Sequence, residues 1–289
     1  MVLYFYIIKS NECRRVTNIS DDVPDQFYSY LNDAHRVIDF YIHDEILHDV
    51  FTQVENWCSQ NPIIGGNRKL KLSHEAERLC RGFLYEFRTC HDHIETEIKR
   101  TYGKESELWK LYERLTHDAY DNHAEYGFTC HLRNCAQHCL SIVHGYNGTQ
   151  GVGLSASSQV LQSGYDKWKD YDLEYMAATG ENIDLLLLFR RALEAYDAIL
   201  SATIQYLLNE NNTSAKLIYI KEWGDTLRQT LDCDVNDLYV VGLRHADGSL
   251  AAAEELESHK PGILIDAHLI EWDTIYSIVG KLTPIDQKK

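Results

Sequence analysis

The sequence predicts a mainly α protein: an antiparallel helical bundle followed by a small mixed α/β appendage. Three observations lead there. Apolar residues recur with a period near 3.6 over most of the first 210 positions. Only 4 prolines and 16 glycines in 289 residues leave few breaks for turns. Past residue 210 the texture changes to short β-branched runs. The expected division is 1–210 for the bundle, with a short N-terminal strand, and 211–289 for the α/β region.

Residues 2–9 form an apolar run that reads as a buried strand, and a polar connection through Pro24 follows. From about Asp25 to Cys58 the pattern is helical, with Val50, Phe51, Val54 and Trp57 on its apolar face. Asn61-Pro62 and Gly65-Gly66-Asn67 end it. Ser73 reads as the cap of a second long helix, whose stripe includes Leu79, Phe83, Phe87, Ile94 and Ile98. Gly103 breaks that helix. A third begins near Glu105, wobbles between Asn122 and Gly127, and resumes through Val143, with His144-Gly145 as its end.

Three such helices with short breaks make an antiparallel bundle the default. The stretch from Gly145 to Gly153 is a turn or small hairpin. A helix follows from Tyr165 to Ala178, and another from Asn182 to Leu208 completes the bundle. Asn209 to Ser214 is polar and reads as a linker. Leu238–Leu243 is a strand, His245–Gly248 a turn, and Ile263–Ile265 a strand expected to pair with the first one.

The net charge of −16 excludes attraction to nucleic acid over the whole surface. A local cationic site inside an acidic shell is still allowed. Hydrophobic residues at 44% supply a sizeable core, and 25% charged residues with sustained periodicity argue against disorder. Most of the 8 cysteines fall on apolar stripes, as small core residues do in a reducing compartment. The N-terminal run lacks a basic start and a cleavage site, and Leu185–Phe189 is far short of a membrane span. A cytoplasmic protein is therefore expected.

The candidate chemistry sits at Cys130–Leu140. On a helical wheel Leu132, Cys135, Ala136, Cys139 and Leu140 share one side, and Arg133, Asn134, Gln137 and His138 share the other. An arginine, an amide and an imidazole on one polar strip suit a phosphate and a proton transfer. The spacing alone is not distinctive, since Arg36-x6-His43, Arg68-x5-His74 and Arg88-x4-His93 occur too. The amide directly after Arg133 and the position near the end of a strongly patterned helix set this pair apart.

Arg133-Asn134-Cys135-Ala136-Gln137-His138 within a bundle of roughly residues 25–210 resembles the HEPN superfamily. Its signature is an arginine, a polar residue and a spaced histidine. The resemblance implies a metal-independent endoribonuclease that uses no cofactor. It also implies a toxin or antiphage, abortive-infection setting, and a homodimer whose motifs meet to form the active site. Arg133 takes the place of the family's arginine, Asn134 of its polar residue and His138 of its histidine. Leu140 stands where one subset carries a tyrosine two residues after the histidine, so regulation by adenylylation of that tyrosine is not implied.

The chemistry is consistent with those residues. When an RNA 2′-hydroxyl attacks the adjacent phosphorus, a base takes its proton and the phosphorane gains negative charge. An imidazole titrates near neutrality and suits acid–base work. A guanidinium offers fixed donors and permanent charge to the phosphate. Asn134, four residues before His138, can reach the imidazole. Arg133 and His138 diverge by roughly 140° around one helix, so a second copy is needed to bring them together. Gln137, Arg88, Asp92 and His93 are candidate supports, with a carboxylate facing the motif to pin Arg133.

Two alternatives accompany this expectation. Cys130, His131, Cys135, His138 and Cys139 are dense in zinc-ligand types, although they lack the CxxC-type spacing of structural sites. The same polar face also suits a non-catalytic HEPN-like module that holds RNA, an antitoxin or another regulatory protein.

Overall fold

The computed structural model describes residues 3–9, 12–15, 25–61, 69–139, 141–147, 153–231, 238–245 and 263–282. Among them the chain is mainly α, with a small mixed α/β region. It divides into two compact units, residues 42–206 and residues 1–41 with 207–289.

The helical unit takes α1 (Asp25–Gln60) from Ile42 onward, α2 (Lys69–Tyr102), α3 (Glu107–Asn122), α4 (Ala124–His138), α5 (Ser158–Gly164) and α6 (Asp170–Thr179). It also takes α7 (Leu185–Asn209) as far as Tyr206. Large rings fill its centre. Phe83 of α2 stacks on Phe189 of α7 at 4.5 Å and meets Phe51 of α1 at 5.7 Å. Phe87, Tyr126 and Tyr196 continue this aromatic layer, all essentially inaccessible. Burying such side chains contributes about 1.5–3 kcal/mol each, and the i, i+4 spacing of Phe83 and Phe87 delivers both from one stripe of α2.

The breaks have local causes. Gly103 ends α2 at φ +80°, a left-handed conformation that an L side chain resists. The Ser106 hydroxyl then accepts the Trp109 N–H at 3.1 Å, capping α3. His123, at φ −126° and ψ 91°, separates α3 from α4, so the wobble near Asn122 is a true break. A three-stranded antiparallel sheet orders β3 (Gly145–Asn147), β4 (Gly153–Ser157) and β5 (Asn182–Asp184), with β4 central. The predicted hairpin is therefore present.

The second unit holds the start of α1, α8 (Thr213–Leu231), α9 (Trp272–Lys281) and a four-stranded sheet. Its strands are β1 (Leu3–Lys9), β2 (Glu12–Arg15), β6 (Leu238–His245) and β7 (Ile263–Leu269), in the order β2-β1-β6-β7. All neighbours are antiparallel. The expectation that Ile263–Ile265 pairs with the first strand needs correction: β6 lies between them, with Tyr4 opposite Val241 and Val241 opposite Ala267. The N-terminal strand thus belongs with the C-terminal region and not with the bundle, as does α1 up to Tyr41. Phe27 packs edge-on to Trp223 at 6.2 Å and lies 6.3 Å from Trp272.

Several boundaries differ from expectation. Helix α2 begins at Lys69, so Ser73 lies inside it. The helix expected over Tyr165–Ala178 is α6, which starts only at Asp170, and the short α5 precedes it unannounced. Asn182–Asp184 forms β5 before α7 begins. The polar stretch after Asn209 is one 3-10 turn, with Asn212 at φ 56°, leading directly into α8. The turns at Gly65–Asn67 and Ala246–Gly248 lie outside the described residues.

Two helical glycines offer a check on this packing. A Cβ on Gly224 of α8 meets the buried Trp272 ring at 2.5 Å, whereas one on Gly82 of α2 meets nothing within 4 Å. Gly224→Ala is expected to destabilise by about 1–3 kcal/mol, the usual cost of overpacking. Gly82→Ala is expected to stabilise by about 0.5–1 kcal/mol through helix propensity. Thermal unfolding of the two variants reads opposite signs if both surroundings are right.

Candidate active site

Helix α4 carries the motif. Phe128, Leu132, Cys135 and Ala136 are buried, while Arg133 and Asn134 are half-buried and Gln137 and His138 are exposed. The polar strip predicted for Arg133, Asn134, Gln137 and His138 therefore exists. The helix does not continue to Val143. It stops at His138, with Cys139 extended at φ −95° and ψ 150°.

A pair from α2 accounts for that early stop. The Arg81 guanidinium donates to the carbonyls of Ala136 and Cys139, capping the end of α4. Its own Nε–H donates to Glu77 at 2.6 Å. The Glu77 carboxylate also accepts the backbone N–H groups of Ile142 and Val143, at 3.0 and 2.9 Å, and the Ser141 hydroxyl at 2.8 Å. These bonds give the chain after His138 partners that a helix would otherwise supply.

Arg133 opens on a cleft of about 610 Å³ between α1, α2 and α4. Arg78, Arg81, Gly82 and Tyr85 of α2 line it, with Gln53 of α1 and Gln137 of α4. The Arg133 guanidinium lies 5.9 Å from the centre of the Tyr85 ring, which is 61% exposed. Its Nε is buried without an acceptor, and among the described residues no carboxylate forms an ion pair with it. Among the described residues its hydrogen bond runs from Nη1 to Asn134 Oδ1 at 3.3 Å. Asn134 therefore contacts the guanidinium, and among the described residues no hydrogen bond joins it to the His138 imidazole.

His138 stands elsewhere. Its ring stacks on Tyr165 at 6.0 Å with 17° between planes. The arginine and the histidine of one chain thus have different neighbours, as five residues of helix require.

Three of the four candidate supports do not serve Arg133. Arg88 is held by Asp92 at 2.7 Å, an i, i+4 pair on α2. Arg88 lines a second, polar cleft together with Tyr112, Tyr120 and Cys130. His93 Nδ1 lies 3.3 Å from His43 Nε2. Only Gln137 shares the Arg133 cleft. The dense Cys/His run does not converge either. Cys135 and Cys139 approach each other at 3.0 Å between sulfurs, His131 turns to Asp172, and His138 turns to Tyr165. Burial pushes the Cys130 thiol up to about 11.

Two features escaped the sequence reading. The first is the arginine-lined wall of α2. Arg78, Arg81 and Tyr85 at i, i+3 and i+7 were its signal, one exposed face of a helix. The second is the Asp172 tie. This carboxylate is fully buried near the start of α6, where it accepts the Lys169 N–H at 2.8 Å and meets His131 Nδ1 at 2.9 Å. The Tyr171 hydroxyl is 3.0 Å from the same nitrogen. The tie fixes α6 to α4, and nothing local in the sequence marks that pairing over 41 residues.

Comparison with protein-family models, with curated proteins and with solved structures returned no match for this chain. Among the described residues no helix is long and apolar enough to cross a membrane.

Proposed function

We propose that this protein is a HEPN-type, metal-independent endoribonuclease, acting as a homodimer in a toxin or antiphage, abortive-infection role. Arg133 binds the scissile phosphate, Asn134 steadies the guanidinium, and His138 moves the protons. The 2′-hydroxyl attacks the adjacent phosphorus, giving a 2′,3′-cyclic phosphate and a 5′-hydroxyl. The supporting observation is the state of Arg133. Its guanidinium is free of any ion pair among the described residues and faces a cleft that Arg78 and Arg81 also line. An arginine committed to an internal carboxylate has little left for a phosphate. Arg81 is ion-paired with Glu77, so Arg78 and Arg133 are the two guanidinium groups that supply a local cationic site within a chain of net charge −16.

The test is RNA decay with chelator present. Wild type is expected to cut, and His138→Ala to fall by about 10²–10⁴-fold, the usual worth of a positioned acid–base group. Equal decay in both removes the enzymatic reading. Retained RNA or protein binding without cutting supports instead a non-catalytic module using the same face, which the acidic surface favours when the partner is a basic protein or an antitoxin.

A further inference from the structure

We infer that Asp44, His48 and Asp197 form a binding site for a divalent transition-metal ion, separate from the Arg133 cleft. Asp44 and His48 lie one turn apart on α1, so both project from the same face of that helix. Asp197 comes from α7 opposite them. His48 Nε2 is 3.0 Å from Asp197 Oδ1 and 3.6 Å from Asp44 Oδ1. One donor atom from each of the three residues lies within 4.8 Å of the others.

Metal–nitrogen and metal–oxygen bonds of about 2.0–2.2 Å place neighbouring donors roughly 3.0–3.6 Å apart, and both separations from His48 fall in that range. The donor set is two carboxylates and one imidazole, which suits zinc, cobalt or manganese better than calcium or magnesium. The side chains are 24%, 43% and 38% exposed in the order Asp44, His48, Asp197. An ion can therefore enter, and water can complete its sphere. None of these residues lines the Arg133 cleft, so the ion is a staple between α1 and α7 and not part of RNA cleavage.

Zinc and cobalt added to the full, chelator-stripped chain test the site. Zinc is expected to raise the unfolding midpoint saturably, by on the order of 5–10 °C at a hundredfold excess over its dissociation constant. Cobalt is expected to give visible absorption at one equivalent. Both responses should vanish in Asp197→Asn and in His48→Gln, which keep side-chain volume close to the original. Magnesium should do neither. No response in the wild type assigns the cluster to an ion pair and overturns the proposal. An undiminished response in both variants places the metal elsewhere and overturns it equally.

Discussion

Mixed dimers of Arg133→Ala and His138→Ala chains are expected to cut RNA, although each variant alone loses about 10²–10⁴-fold. The expectation follows from where α4 puts the two side chains. Arg133 opens between α1, α2 and α4, while His138 stacks on Tyr165 beyond the last turn. In a two-fold dimer each reaction centre then draws its guanidinium from one copy and its imidazole from the other. A mixed dimer keeps one intact centre and concentrates both defects in the other. Random exchange makes half the dimers mixed, so recovery should approach about a quarter of wild-type activity. Co-expression with two affinity tags isolates the mixed species, and product ends identify the reaction. A centre built within one chain predicts no recovery at all. That result would sink the shared-site arrangement while leaving the cleavage assay to judge the activity itself.

What the sequence revealed depended on how local the cause was. The α2 stripe was legible because burial there follows a 3.6 period, and Phe83 and Phe87 are both buried as that period demands. The side of α4 that carries Arg133, Asn134, Gln137 and His138 was legible for the same reason. The end of α4 was not. Cys139 to Val143 continues an acceptable apolar pattern, and only Glu77 and Arg81, some 55 to 66 residues earlier, divert it. Helix α8 was missed because its first residues are polar and follow a polar turn. Its apolar positions Leu217, Ile220 and Leu227 are buried only within a unit assembled from both chain termini. The N-terminal strand was recognised, but its partner was misassigned, since hydrogen-bonded neighbours over more than 230 positions leave no local trace. At the site, the helix face that carries Arg133 was readable and its surroundings were not. The tie from His131 to Asp172, and the guanidinium wall of α2, exist only once the helices are packed.

Acid should unfold this protein partly through one residue, His91. The imidazole is 5% exposed and enclosed by Phe87, Tyr126 and Tyr196, with ring centroids 4.8–5.4 Å away. Its Nδ1 is 3.1 Å from the Tyr112 hydroxyl and its Nε2 is 3.0 Å from the Tyr126 hydroxyl. Tyr112 also donates to the His91 carbonyl, so that hydroxyl accepts the Nδ1–H and Tyr126 donates to Nε2. A neutral ring satisfies every member of this network. Burial, aided by the Arg88 charge, pushes the imidazole down from 6.5 to about 3. A histidine with a lowered value in the fold binds its proton more readily when the chain is unfolded. The stabilisation is therefore complete above about pH 7 and is lost as pH falls from about 6.5 towards 3. The half-buried His144, also lowered by desolvation, acts in the same direction. For His91 alone the loss is about 2 kcal/mol between pH 7 and pH 5 and reaches about 4 kcal/mol near pH 3. That total is comparable with the whole stability of many domains. His91→Gln offers a donor and an acceptor in place of the ring and does not titrate in this window. Urea unfolding at pH 7 and pH 5 should show a drop in wild type that is smaller by about 2 kcal/mol in the variant. Equal drops would mean that another group controls the acid limb, and that the His91 ring is not held neutral by its burial.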